Sequence, residues 1–149
     1  MQKKEKIRLS LFIIYSVAML LALFIRPATS IESAGYWENV AAHFNPIPFE
    51  TILYFNKILG YNLTFGVFAQ VLGNLIGNVL FFVPFGFFLF GIKEDTRRPF
   101  WKIMLFSSVT IIIIELLQMF TLVGYCDIDD LILNEVGVAL GYLTRKIFS

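Results

Sequence analysis

The chain has 149 residues, 58% of them hydrophobic and 17% aromatic, and its mean hydropathy is +0.76. That length suits one domain and that composition exceeds what a water-soluble domain carries, so a single-domain integral membrane protein is expected. A net charge of +1, with basic residues scattered beside apolar runs, argues against a nucleic-acid partner, and the lone Cys126 excludes an intrachain disulfide, a CxxC pair and a cysteine-built zinc site.

Behind Lys3, Lys4 and Lys6, residues 7–25 are apolar apart from Arg8 and Ser10, long enough to cross a core of about 30 Å at about 1.5 Å per residue. They are expected to form the first transmembrane helix. A cleaved signal peptide is the rival reading, disfavoured because the run exceeds an ordinary h-region and no AxA-like site follows. Residues 26–66 hold too many polar groups to span and are expected to form an outer loop. Within it Ile31, Tyr36, Trp37, Val40, Ala41 and Phe44 approximate one helical face, and Phe49, Ile52, Leu53 and Ile58 another, which predicts two short interfacial helices. Between them Asn45-Pro46-Ile47-Pro48-Phe49 is expected to be extended or turned, because each proline lacks a donor and restricts its predecessor.

Residues 67–92 read as a second span, kinked at Pro84, where the carbonyl of Leu80 loses its intrahelical partner. Residues 100–122 and 130–148 read as the third and fourth, separated by a tight acidic connection. The expected fold is therefore all-α, with four transmembrane helices and an outer loop carrying the interfacial helices. With four spans, Lys3, Lys4, Lys6, Arg8, Lys93, Arg97, Arg98, Lys102, Arg145 and Lys146 fall on one side, leaving Arg26 and Lys57 opposite. The positive-inside rule then puts both termini in the cytoplasm.

This orientation gathers polar residues in the outer half of the membrane. Asn74 and Asn78 share a face of the second helix, Glu115 and Gln118 lie near the outer end of the third, and Asn134 follows Asp130 by one turn on the fourth. Gly73 and Gly77 form one GxxxG and Gly137 and Gly141 another, which predicts that the second and fourth helices meet along Gly77 and Gly137. The amides also fit a plain role as hydrogen-bonded links between helices. Glu115 is a stronger functional candidate, because a carboxyl at that depth either holds a proton or needs a cation, donors or water. Asp127, Asp129 and Asp130 exceed what capping one helix requires, and Mg²⁺ or Ca²⁺ would accept such oxygens, although their spacing matches no metal motif. No histidine-supported nucleophile accompanies them, since His43 lies in the loop and GxSxG is absent.

Taken together, Asn45-Pro-Ile-Pro48-Phe49, Gly73-Asn74-Leu-Ile-Gly77-Asn78-Val-Leu-Phe-Phe-Val-Pro84-Phe-Gly86, Glu115-Leu-Leu-Gln118 and Asp127-Ile-Asp129-Asp130-Leu-Ile-Leu-Asn134-Glu-Val-Gly137 resemble the VanZ-like family, in order and with compatible spacing. The resemblance implies a multi-pass protein of the bacterial cytoplasmic membrane, an accessory factor in resistance to lipoglycopeptides such as teicoplanin. Its site residues would be Asn74, Asn78, Glu115, Gln118, Asp127, Asp129, Asp130 and Asn134. Where family members often have an arginine before the aspartates, this chain has Gly124-Tyr125-Cys126, and Pro46 stands where leucine is more usual.

Two functions follow as expectations. In the first, an outward polar cleft binds a lipid, a lipid-linked wall precursor or the drug's acyl chain, without turnover or cofactor. In the second, a membrane-embedded enzyme uses Glu115 and the Asp127, Asp129 and Asp130 cluster as acid, base or metal-binding groups.

Overall fold

The computed structural model describes residues 3–25, 35–50, 53, 57, 65–91 and 99–148. Among these residues the elements follow in the order α1 (Lys3–Phe24), α2 (Tyr36–Ala42), β1 (Phe44–Asn45), α3 (Phe65–Gly91), α4 (Phe100–Phe120), β2 (Cys126–Asp127) and α5 (Ile128–Ile147). Lys3–Phe24, Leu72–Phe90 and Phe100–Phe120 are long and apolar enough to cross a membrane. The stretch expected to be a fourth span is α5, a 20-residue helix whose first turn carries Asp129 and Asp130 and whose last carries Arg145 and Lys146. Of the two interfacial helices expected, the first is α2. The second falls largely outside the described residues, and positions 50, 53 and 57 there are helical.

Helix α3 runs unbroken through Pro84. The Tyr15 hydroxyl of α1 donates to the carbonyl of Phe81, the neighbour of the Leu80 carbonyl that the proline leaves free. Phe12 stacks at a tilt on Phe85, 5.5 Å between ring centres, so α1 and α3 run in opposite directions. On its other side α3 meets α5 at backbone contact. A Cβ built on Gly86 would lie 2.9 Å from Val138 Cα, one on Gly137 would lie 3.1 Å from Phe82 Cβ, and one on Gly141 would lie 2.7 Å from Phe87 N. Rising numbers on α3 meet rising numbers on α5, so these two helices are parallel.

The expected contact therefore holds at Gly137 and fails at Gly77. A Cβ on Gly77 or Gly73 meets nothing within 4 Å among the described residues, and Gly86 supplies the small residue on α3 instead. The contact runs from Val79 to Phe87 on α3, straddling the proline and beginning just beyond Gly77.

Helix α4 runs against α5. A Cβ built on Gly124 would lie 3.3 Å from Gln118 Cβ, β2 packs along α4, and Glu135 meets Ser107 and Ser108, each step down α5 matching a step back along α4. The core between the helices includes Phe82, Phe85, Ile111, Ile114, Val138 and Tyr142. Around it α5 turns Ile132, Val136, Leu140 and Leu143 outward at helical spacing, an apolar stripe opposite the buried Asn134.

Candidate functional site

The site forms where the chain folds back between α4 and α5. Helix α4 is closed off by Leu122, two residues past its last, whose φ of 55° is the left-handed conformation usual for a glycine at this position. Its side chain is buried against Val40 of α2 and Met119, and the N–H groups of Val123 and Gly124 donate to the Gln118 carbonyl at 3.0 and 3.3 Å. Burial offsets the backbone strain, which for a non-glycine residue is about 1–2 kcal/mol. The acidic segment thus returns to the level of Glu115 instead of projecting above it.

That return creates a two-stranded parallel ladder, an addition to the all-α expectation. Phe44 pairs with Cys126 and Asn45 with Asp127, and the Cys126 N–H donates to the His43 carbonyl at 2.8 Å. His43 is buried, its Nδ1 2.6 Å from the Asn39 carbonyl and its ring stacked on Tyr125 at 4.5 Å. Helix α2 is tied to α4 by the Tyr36 hydroxyl, which donates to the Phe120 carbonyl at 2.8 Å. The loop segment that the sequence separates most from the aspartates is therefore hydrogen-bonded to them.

Each aspartate has a different task. Asp127 caps α5, Oδ1 accepting from the Asp129 N–H at 2.8 Å, while Oδ2 accepts from Asn45 Nδ2 at 3.3 Å. Asp129, 1% exposed, accepts from the N–H of Phe49, whose φ of 64° is a second left-handed outlier. A bulky residue held there implies that its surroundings enforce the conformation, and the buried carboxylate is the latch. Asp130 accepts from Asn78 Nδ2, joining α5 to α3. The three carboxylates thus point to different partners, and among the described residues no group of three His, Cys, Asp or Glu side chains converges as a metal site.

Glu115, 5% exposed, lies beside this turn. Burial, and then the charges of Glu115 and Asp127, push the Cys126 thiol above its ordinary range. Gln118 is buried and donates to the Leu23 carbonyl at 3.1 Å, linking α4 to the end of α1. Asn134 is 4% exposed, and its Oδ1 has no hydrogen-bond partner among the described residues. Asn74 is exposed on α3, while Asn78, one turn along, bonds to Asp130.

Sequence reasoning omitted Asn45, the Phe49 N–H and a second carboxyl, Glu135. Two-residue strands leave no periodic signal, and a backbone donor leaves none at all. Glu135 was open to the same rule that selected Glu115, an ionisable residue inside a long helix. It lies 2.8 Å from both Ser107 Oγ and Ser108 Oγ.

A family model described as VanZ/LLP1 matches residues 12–149, while no curated protein and no solved structure matches the chain. The match takes in the loop, the asparagines of α3, the glutamate of α4 and the aspartates of α5, and the chain belongs to the VanZ/LLP1 family.

Proposed function

We propose that this VanZ-like membrane protein is an accessory factor in resistance to lipoglycopeptides of the teicoplanin type. It acts by binding a lipid, a lipid-linked wall precursor or the drug's acyl chain in a polar cleft open to the outer face of the bacterial cytoplasmic membrane. Helices α1, α3, α4 and α5 cross the membrane with both termini inside, and α2 lies at the outer interface with Tyr36 and Trp37 exposed. The outward apolar stripe of α5 supports its role as the fourth span, because its polar residues turn toward its neighbours and away from lipid.

One observation carries the binding reading: Asn78 and Asp130 join two helices under a loop latched by Asp127 and Asp129, and the buried Glu115 lies near Cys126 in the same turn. Asn74, Gln118 and Asn134 complete the proposed ligand-binding set. The enzymatic alternative draws on Glu115, a buried carboxyl whose field reaches Cys126 and which is the candidate acid or base.

Purified protein in nanodiscs, incubated with labelled lipids, wall precursors and teicoplanin, separates these readings. Saturable binding without turnover is expected, and turnover of any of them would establish the enzyme instead. In a null background, Glu115→Gln and Asp130→Asn should keep normal membrane abundance and lose resistance. Wild-type susceptibility in both variants removes the site.

A further inference from the structure

A second polar cluster lies in the seam between α4 and α5, away from the loop and the aspartates. Ser107 Oγ is 2.8 and 3.1 Å from the two carboxyl oxygens of Glu135, and Ser108 Oγ is 2.8 Å from Oε1. Ser107 is wholly buried, and its Oγ is also 2.9 Å from the Met104 carbonyl. Among the described residues no cationic side chain pairs with Glu135. Helix α3 carries no charged residue. On α4 the charged residues are the exposed Lys102 and, two turns beyond the serines, Glu115; on α5 they are Asp129 and Asp130 above, and Arg145 and Lys146 below. Those of α1 lie between Lys3 and Arg8.

Hydrogens can be counted in this cluster. An ionised carboxylate only accepts, so the single Ser107 hydrogen would have to serve both the carboxylate and the Met104 carbonyl. A proton on the carboxyl adds a third hydrogen, so that each of the three hydroxyl groups makes one undivided bond, and of the four contacts only the Ser107 Oγ–Oε1 approach is left without one. Ser108 then donates to Oε1, the carboxyl O–H at Oε2 donates to Ser107 Oγ, and Ser107 donates to Met104 O. A serine that both accepts and donates is what a neutral acid needs, and a neutral acid is far cheaper inside a helix bundle than an unpaired charge.

We propose that Glu135, Ser107 and Ser108 form a proton-binding site in the α4–α5 seam, with the proton resident on Glu135 at neutral pH. The site is independent of the cleft assigned above, shares no residue with it, and stands or falls separately. Its ligand is the proton, although the same oxygens would also suit a sodium ion, so the experiment must separate the two.

Infrared difference spectroscopy of the protein in lipid at neutral pH reads the site directly. The carbonyl stretch of a protonated carboxyl should be present without sodium, unaffected by adding it, and absent in Glu135→Gln. Glutamine offers Ser107 a donor and Ser108 an acceptor, so that variant should fold. The double variant Ser107→Ala, Ser108→Ala should keep the band and shift it to higher frequency. If Glu135→Gln does not fold, this shift decides, and an unshifted band overturns the proposal. A spectrum in which Glu135→Gln removes only carboxylate signal overturns it, as does loss of the band on adding sodium.

Discussion

Helix α5 meets its two neighbours by opposite means. Toward α3 it presents Gly137 and Gly141 and receives Gly86, so two parallel backbones touch. Toward α4 it presents Glu135 to Ser107 and Ser108, and the antiparallel pair is joined by hydrogen bonds whose protons can be redistributed. In lipid, apolar side chains gain little by choosing each other over acyl chains, so close backbone contact and polar bonds are the two ways left to specify a partner. The first is rigid because packed backbone cannot yield, while the second can respond to a proton or a ligand.

The largest effect is expected from filling the rigid seam. Gly137→Leu and Gly141→Leu place side chains against the carbonyls of Val79 and Val83, which move only if the helices separate. A loss of about 3 kcal/mol or more is expected from overpacking of this kind, seen as a fall in thermal midpoint and in monodisperse yield in detergent. Wild-type midpoints in both variants would remove the glycine seam from the fold.

Asp129→Ala should follow in size. It removes an acceptor that is 1% exposed and releases Phe49 from its left-handed conformation, so the Phe49 N–H loses its partner. Charge-assisted bonds of this type contribute about 1.5–3 kcal/mol. Protease sensitivity confined to the segment around residues 45–50, with the helices intact, is the expected readout. Uniform destabilisation instead would make Asp129 part of the helix seam.

These differences trace how far the sequence carries. The described helices α1, α3 and α4 follow from apolar runs, with ends displaced by a few residues, because a bilayer-length hydrophobic stretch has few alternatives, and α5 is a helix where the last such run was expected. Gly137 was legible for the same reason that Gly77 misled: small residues at i and i+4 announce a face that can approach closely, but the crossing point depends on the partner's position. The Asn78–Asp130 bond was half legible, since both residues are costly inside a membrane, yet which acid meets which amide depends on how the connection after Leu122 folds back. The ladder between residues 44–45 and 126–127 was not legible, because it rests on backbone groups and two strained φ angles at non-glycine residues.

Cys126 offers a smaller effect, read at the mouth of the polar seam. Burial raises its thiol first, with the negative charges of Glu115 and Asp127 adding to it, so little thiolate exists near neutral pH and alkylation by a maleimide should be slow. Glu115→Gln removes one of those charges. The thiol should move back toward its ordinary range, and the alkylation rate at fixed pH should rise a few-fold. An unchanged rate would mean that Glu115 carries no charge beside the turn.

The smallest expected effect is the sharpest comparison, because Gly77 and Gly137 belong to identical motifs on helices that touch. A side chain at Gly77 meets nothing within 4 Å among the described residues, whereas one at Gly137 meets the α3 backbone. Leucine is also the better helix former by about 0.5–1 kcal/mol, so Gly77→Leu should leave the thermal midpoint unchanged or raise it slightly. Measured beside Gly137→Leu in the same detergent, the pair separates a glycine kept for approach to α5 from one that has no such task. If Gly77→Leu destabilises as strongly as Gly137→Leu, the crossing of α3 and α5 extends toward the outer end, and Asn74 lies inside the seam with it.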